Sequence, residues 1–129
     1  MSFSDDIKQF TNKTERAALF VFRGTALDIF SKVILRTPVD TGRLRGNWQC
    51  SLNSPVTNET NATGNQALSG AKKATSNAKI TDSIYMTNNL PYAGVIEDGR
   101  SNQAPAGMVK VTISEYQEIV EANARKAKK

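Results

Sequence analysis

The chain has 129 residues, of which 39% are hydrophobic, and it carries a formal net charge of +5. It contains one cysteine, Cys50, and no histidine. These counts exclude an intrachain disulfide and a serine–histidine or cysteine–histidine nucleophile pair, and they remove the commonest metal ligand. A single cysteine suits a reducing compartment. The length predicts one domain over residues 1–129.

The positive charge is concentrated in a basic tail. Residues 123–129 carry Arg125, Lys126, Lys128 and Lys129, whereas the rest of the chain is close to neutral. A frayed, solubilising helix end explains such a tail at least as well as nucleic-acid binding does. The start of the chain lacks the pattern of a signal peptide, and no apolar stretch is long enough to cross a bilayer. We therefore expect a soluble protein made in the cytoplasm.

The first predicted element is a long amphipathic helix over residues 12–36, with Thr11 or Asn12 as its cap. Its apolar stripe is wider than that of a simple surface helix, which indicates a second contact with a sheet or a neighbouring subunit. Gly24 interrupts the helix and permits another backbone to approach closely. Pro38 ends it, because the residue before a proline avoids helical backbone angles.

A turn and a strand follow this helix. Pro38, Asp40 and Gly42 are typical turn residues, and Gly42 is suited to a positive φ. Residues 44–52 then alternate between apolar and polar, which predicts a half-buried strand. The turn and strand together predict the entry of the chain into a small sheet.

Three side chains near this strand are candidates for partner contact. Arg43 and Arg45 share the outward parity, so they would meet an acidic partner surface or DNA phosphate, or else solvent. Trp48 shares the inward parity. A buried core anchor is its favoured role, and an interface hot spot is the alternative.

Residues 53–79 form a polar excursion rich in Asn, Thr, Ser, Ala and Gly. Such a composition buries too little apolar surface to offset its ordering entropy. We therefore predict a long arm or loop, with a short helix near residues 66–75. In an assembly subunit, this arm would become ordered against a neighbour.

The last third of the chain contains three predicted elements. Residues 80–88 read as a second strand, in which Asp82 is a discordant polar residue. Residues 90–99 predict a short helical turn closed by Gly99. A loop with Pro105 and Gly107 as structural turn residues leads into a second long helix over residues 106–126.

This order predicts an α+β fold. Two long helices, one N-terminal and one C-terminal, would pack on a small antiparallel sheet, with the polar excursion between the strands. Two strands alone make a marginal sheet, so the sheet would gain further strands from the excursion or from a neighbouring subunit.

Acidic residues are the only candidates for catalysis. Glu97 and Asp98, with Asp82 or Asp40, form the acidic grouping that could hold a cation or do acid–base work, but adjacent carboxylates point in different directions and make a poor metal pair. We expect no catalytic residue, no metal site and no cofactor. Glu97 would instead belong to a solvated turn or form half of an inter-subunit ion pair, and Tyr92 is open to the same two roles as Trp48.

Three segments resemble one phage family. Residues 37–48, TPVDTGRLRGNW, resemble its TPVDTGxLRxxW stretch; residues 90–99, LPYAGVIEDG, resemble its PYAxxlEyG stretch; and residues 103–109, QAPAGMV, resemble the segment that opens its last helix. The family is the head–tail joining or tail-completion (neck) proteins of long-tailed double-stranded-DNA phages, similar to minor tail protein Z. The chain departs from the family at residues 53–79, and Asp98 stands where an aromatic residue is common.

The resemblance implies a virion protein of the tail or neck that assembles as a ring, a hexamer in expectation. Its partners would be further copies of itself, the tail tube or tail terminator on one side and the head connector or adaptor on the other. The genome would pass through the lumen without sequence-specific binding, and no membrane would be involved.

The sequence is compatible with two other classes of function. A small nucleic-acid-binding module would rest on the basic tail together with Arg43 and Arg45, and its binding to duplex DNA would depend on salt. A small enzyme would need the acidic grouping around Glu97, and the absence of histidine argues against it.

Overall fold

A computed structural model describes residues 2–39, 42–99, 104 and 107–128 of the chain. Within these ranges six helices and two strands occur, which confirms the predicted α+β class. The helices are α1 (Phe3–Arg36), α2 (Arg43–Gly46), α3 (Gly64–Asn77), α4 (Ala93–Glu97), α5 (Val109–Ile113) and α6 (Tyr116–Ala127). The strands are β1 (Trp48–Leu52) and β2 (Ile84–Asn88).

The two strands pair antiparallel, with Trp48 opposite Asn88 and Leu52 opposite Ile84. Helix α1 is the spine of the molecule, since it contacts α3, α5 and α6, and α3 also packs on β1. The main core lies where α1, α3 and β1 meet. Its buried residues are Val33, Ile34, Leu44, Trp48, Ala67, Ala71, Leu90, Ala104 and Met108.

Helix α1 begins at Phe3, so the predicted start near Asn12 is wrong. Its cap is Ser2 rather than Thr11 or Asn12, and Ser2 and Asp5 satisfy each other's backbone N–H in a reciprocal capping box. Residues 3–11 are mostly polar and carry only a narrow apolar edge, at positions 3, 7 and 10. They extend the helix because adding a residue to an existing helix is far easier than nucleating one.

The predicted strand over residues 44–52 is wrong in its first part, because Arg43–Gly46 forms the single helical turn α2. Leu44 and Trp48 are four residues apart, a spacing that fits one face of a helical turn as well as one face of a strand. The alternation therefore did not distinguish the two. Both residues are buried, as predicted.

The prediction that residues 53–79 form an unpacked arm is wrong for α3. Thr63 and Gln66 make a capping box at its start, and the face formed by Ala67, Ala71 and Thr75 is buried against the core. Small side chains let α3 approach α1 and β1 closely, so little apolar surface is needed to hold it. The short helix predicted near residues 66–75 is confirmed and extended to Gly64–Asn77.

The last elements also differ in their limits. Strand β2 starts at Ile84, because the Asp82 carboxylate accepts hydrogen bonds from the Lys79 backbone N–H and the Asn53 side chain in the preceding turn. The predicted long second helix is divided into α5 and α6 near Glu115. Glu115 forms ion pairs with Arg36 and Lys32, and these connect the break between α5 and α6 to α1.

Residues 123–129 are not wholly a solvated tail, because α6 runs to Ala127 and Asn123 is buried. The Asn123 side chain donates to Asp28 Oδ2 at 2.9 Å and to Ile119 O at 3.0 Å. It lies directly over Gly24, where an added Cβ would be 2.3 Å from Asn123 Oδ1. The close approach predicted at Gly24 is therefore made by a side chain of α6, not by another backbone.

At Gly46 the fold leaves no room for a side chain. A Cβ there would lie 1.8 Å from the carbonyl oxygen of Ala62, whereas a Cβ at Gly70, inside α3, would meet nothing within 4 Å. We expect Gly46→Ala to lower the free energy of unfolding by about 1–3 kcal/mol through overpacking. Gly70→Ala should raise it by about 0.5–1 kcal/mol, because alanine favours the helix.

Urea titration of both variants beside the parent chain measures these changes. A stable Gly46→Ala variant would contradict the close packing of α2 against the residues that precede α3.

Candidate functional site

The end of α1 is held by one buried hydroxyl group. Thr37 is 1% exposed, and its Oγ1 donates to Val33 O at 2.7 Å and accepts from the Trp48 indole Nε1 at 2.8 Å. The hydroxyl thus joins the last turn of α1 to the first residue of β1. A buried tryptophan needs an acceptor for its N–H, and Thr37 supplies it. Trp48 therefore occupies the favoured role of core anchor.

Arg45 reinforces the same connection. Its Nη2 donates to Leu35 O at 2.8 Å and to Thr37 O at 2.9 Å, and its Nε donates to Thr37 O at 3.2 Å. The last carbonyl groups of a helix have no partner within the helix, and here a guanidinium group satisfies two carbonyls in this region. The α2 turn directs Arg45 back toward α1, so its predicted outward position on a strand is wrong. We call the contacts of Thr37, Arg45 and Trp48 the first joint.

A second joint connects α4 to α5. The Glu97 carboxylate accepts from the backbone N–H groups of Met108 (3.0 Å), Val109 (2.8 Å) and Lys110 (2.9 Å) at the start of α5. Gly107 permits this approach, because its φ is +82° and a Cβ there would be 2.6 Å from Glu97 O. Glu97 therefore caps a helix within its own chain.

The electrostatics of Glu97 follow from this geometry. Partial burial alone would raise its pKa, but the three N–H donors and the charge of Lys110 outweigh that effect, so its pKa lies below the ordinary value. The carboxylate is therefore ionised at neutral pH and opposes the positive end of α5.

Residues at both joints pack into one core. Leu44 and Trp48 come from the first joint region, Leu90 precedes α4, and Ala104 and Met108 flank the second joint; all five belong to a single buried cluster. The other predicted turn residues agree in conformation. Pro38 is buried, and Gly42 and Gly99 adopt φ values of +72° and +86°. Asp40 and Pro105 lie outside the described residues.

Two of the predicted contact residues present their side chains at the surface. Arg43 is exposed and forms an ion pair with Glu59 at 2.9 Å, and Tyr92 is 40% exposed at the start of α4. Among the five predicted contact residues, these two are the ones that remain accessible to a partner, while Arg45, Trp48 and Glu97 serve internal contacts.

The sequence interpretation missed an exposed apolar surface at the start of α1. Residues 4–16, which we call the outer half of α1, are all exposed, and they include Ile7 and Phe10 at 49% and 72% exposure. The apolar residues at positions 3, 7 and 10 are spaced by four and three, and that spacing was the available signal. Contiguous exposed apolar surface is typical of interaction sites.

The described residues contain no group of three or more His, Cys, Asp or Glu residues arranged to hold a metal ion. Burial raises the pKa of Cys50 to about 12, so its thiol stays protonated and is a poor nucleophile. Among the same residues, no helix combines the length and apolar character needed to cross a membrane.

Comparison with known proteins finds no matching family model, no matching curated protein and no matching solved structure.

We expect Glu97→Gln to lower the free energy of unfolding by about 1 kcal/mol at pH 7, the usual cost of a lost helix cap. Because folding depresses its pKa, Glu97 stabilises the fold above the ordinary value of 4.5, and this stabilisation is lost as the pH falls through the lower folded-state value. The difference between parent and variant should therefore shrink in acid.

Chemical unfolding from pH 7 to pH 3 tests this expectation, with the exposed Glu118→Gln as the control that removes a carboxylate near the start of α6. A difference between parent and Glu97→Gln that stayed constant across this range would contradict the capping role of the ionised carboxylate.

Proposed function

We propose that this chain is a non-enzymatic structural subunit of the head–tail junction of a long-tailed double-stranded-DNA phage. Copies of the chain form a ring, a hexamer by analogy with the resembled family, that joins the tail tube to the head. The ring passes the genome through its lumen without reading its sequence. Its neighbours are the tail tube or terminator on one side and the head connector on the other.

The resemblance to neck proteins gains support from the way its three motifs are used. Described residues of the first motif, Thr37, Arg45 and Trp48, form the first joint, and Glu97 of the second motif binds Met108 of the third in the second joint. Described residues from all three motifs belong to one core cluster. Segments far apart in sequence thus act together on one subunit core. This is the behaviour expected of motifs that define a fold.

The observation that carries the assembly role is the exposed outer half of α1. Helix α1 has 34 residues, which is about 51 Å of helix, and its residues 4–16 are all exposed. An isolated helical extension with exposed Ile7 and Phe10 gains little stability by itself. In a ring, a neighbouring subunit would cover it.

A nucleic-acid-binding module is the second candidate. Arg125, Lys126 and Lys128 are exposed at the end of α6, which favours contact with phosphate. Arg45 no longer adds to that surface, because it binds the end of α1, and Arg43 is paired with Glu59. Salt-dependent binding of duplex DNA that disappears when residues 125–129 are deleted, in a chain that stays monomeric, would favour this candidate over the ring.

The proposal predicts a defined assembly defect. A phage with a nonsense codon in this gene should accumulate filled heads and separate tails, because the joining subunit is missing. Electron microscopy of lysates from a nonsuppressing host checks this, and the same phage grown in a suppressing host is the control. Normal numbers of joined, infectious particles under nonsuppressing conditions would contradict the proposal.

A further inference from the structure

Two adjoining pockets that share Arg16, Leu19 and Arg23 form one groove with a basic rim along α1. Leu19, Phe20 and Ile80 supply apolar surface, and Phe20 and Ile80 are about half exposed. Arg16, Arg23 and Lys79 line the same groove, with Glu15 as the acidic exception. Its wider part has a volume of about 680 Å³. The groove therefore fits an apolar segment that carries negative charge.

The basic side chains are positioned for such a segment. Arg23 is fixed by a hydrogen bond from its Nε to Ala78 O at 2.8 Å, next to the Lys79 backbone. The Arg16 side chain makes no hydrogen bond or ion pair with another described residue, although it lines both parts of the groove. Arg16 is thus available for an acidic partner.

The chain itself contains a segment of the complementary kind. The start of α1 carries Asp5 and Asp6 in its first turn, followed by the exposed Ile7 and Phe10. Asp6 directly precedes Ile7 and flanks the apolar edge, whereas Lys8 lies on the other side of the helix at 100° per residue. An acidic and apolar edge is therefore presented to solvent.

This segment cannot reach the groove of its own molecule. Residues 7 and 19 belong to one uninterrupted helix and are about 18 Å apart along its axis. Phe10 and Leu19 are nine residues apart, about two and a half turns, so they also lie on opposite sides of the helix. Only a second molecule brings the two surfaces together.

We propose that residues 2–10 of one copy of the chain dock into the basic groove of a second copy, with Ile7 and Phe10 against Leu19, Phe20 and Ile80. Asp6 then faces Arg16. Because the donor edge and the acceptor groove lie on opposite sides of α1, the contact is head-to-tail, and each copy both gives and receives a segment. Such contacts close into a ring or continue as a filament. The contact is then the one between neighbouring subunits of the ring proposed above, and in that respect this inference rests on the proposed function.

A second groove, between α1, β2 and α6, is the competing receptor. Among the described residues that line it, including Val21, Ile84 and Tyr116, none is charged. This second groove offers no positive charge to Asp6. Charge complementarity therefore favours the basic groove as the receptor of the segment.

Self-association of the full chain tests the apolar part of the contact. In sedimentation experiments, Phe10→Asp should weaken association at least about tenfold, the effect of removing an interface anchor. Gln9→Asp is the matched control, since it adds the same charge to the neighbouring exposed position off the apolar edge, and it should leave association unchanged. Phe10 is 72% exposed, so folding, checked by circular dichroism, should not change. Equal effects of the two variants would overturn the proposal.

Charge exchange tests the ionic part. Asp6→Arg and Arg16→Asp should each weaken association, and the two together should restore most of it. If the groove instead receives DNA, Arg16→Asp abolishes binding of duplex DNA and leaves self-association intact, which would overturn the proposal.

Disulfide trapping separates this contact from other arrangements. In a Cys50→Ser background, one chain carrying Phe10→Cys and Ile80→Cys should form a ladder of covalent multimers larger than dimers under mild oxidation. A chain carrying Phe10→Cys and Ile84→Cys reports on the uncharged groove and should not form it. A ladder that stops at the dimer, or one given only by the Ile84→Cys chain, would overturn the head-to-tail contact in the basic groove.

The outcomes distinguish this inference from the proposed function. A ring of the parent chain that is indifferent to Phe10→Asp and to the charge exchange leaves the neck role standing and overturns the contact. A trapped ladder together with normal assembly of the nonsense phage supports the contact and overturns the neck role.

Discussion

The hydroxyl group of Thr37 ties the end of the longest helix to the start of the sheet, and the remaining architecture follows from that connection. It satisfies the buried indole N–H of Trp48, a donor that would cost about 1–3 kcal/mol if left without an acceptor. With Trp48 fixed, β1 is fixed, and β2 pairs with it in a single register. Arg45 donates hydrogen bonds to the carbonyl groups of Leu35 and Thr37, which fixes the direction in which the chain leaves α1.

The second joint completes the same core from the other end of the chain. Glu97 holds the start of α5, and Met108 reaches the cluster that contains Trp48. The ion pair between Glu115 and Arg36 then connects the start of α6 to α1. Polar side chains therefore set the order and direction of the elements, while a modest apolar core, rich in alanine on α3, fills the space between them. The outer half of α1 takes no part in this construction and remains accessible to a partner.

Local rules predicted what depends on local geometry: the helix stop at Pro38, the closing glycine Gly99 and the α+β order of elements. They failed where two periods coincide, since a spacing of four between Leu44 and Trp48 fits a helical turn and a strand alike. They also failed for Arg45 and Glu97, whose partners are backbone groups about ten residues away. The sequence interpretation placed Arg45 on the outward face of a strand and Glu97 in a solvated turn or an inter-subunit ion pair, but both side chains bind the ends of helices within the same chain.

We propose a division of roles in which the joints hold the subunit together and the outer half of α1 makes the contact with other copies. Thr37→Val tests it most directly, because valine keeps the shape of threonine and removes the acceptor of Trp48. Unfolding and self-association should be measured on the same variant. We predict a lower free energy of unfolding, by about 1–3 kcal/mol, with unchanged association of the folded protein. Weakened association at unchanged stability would contradict the account.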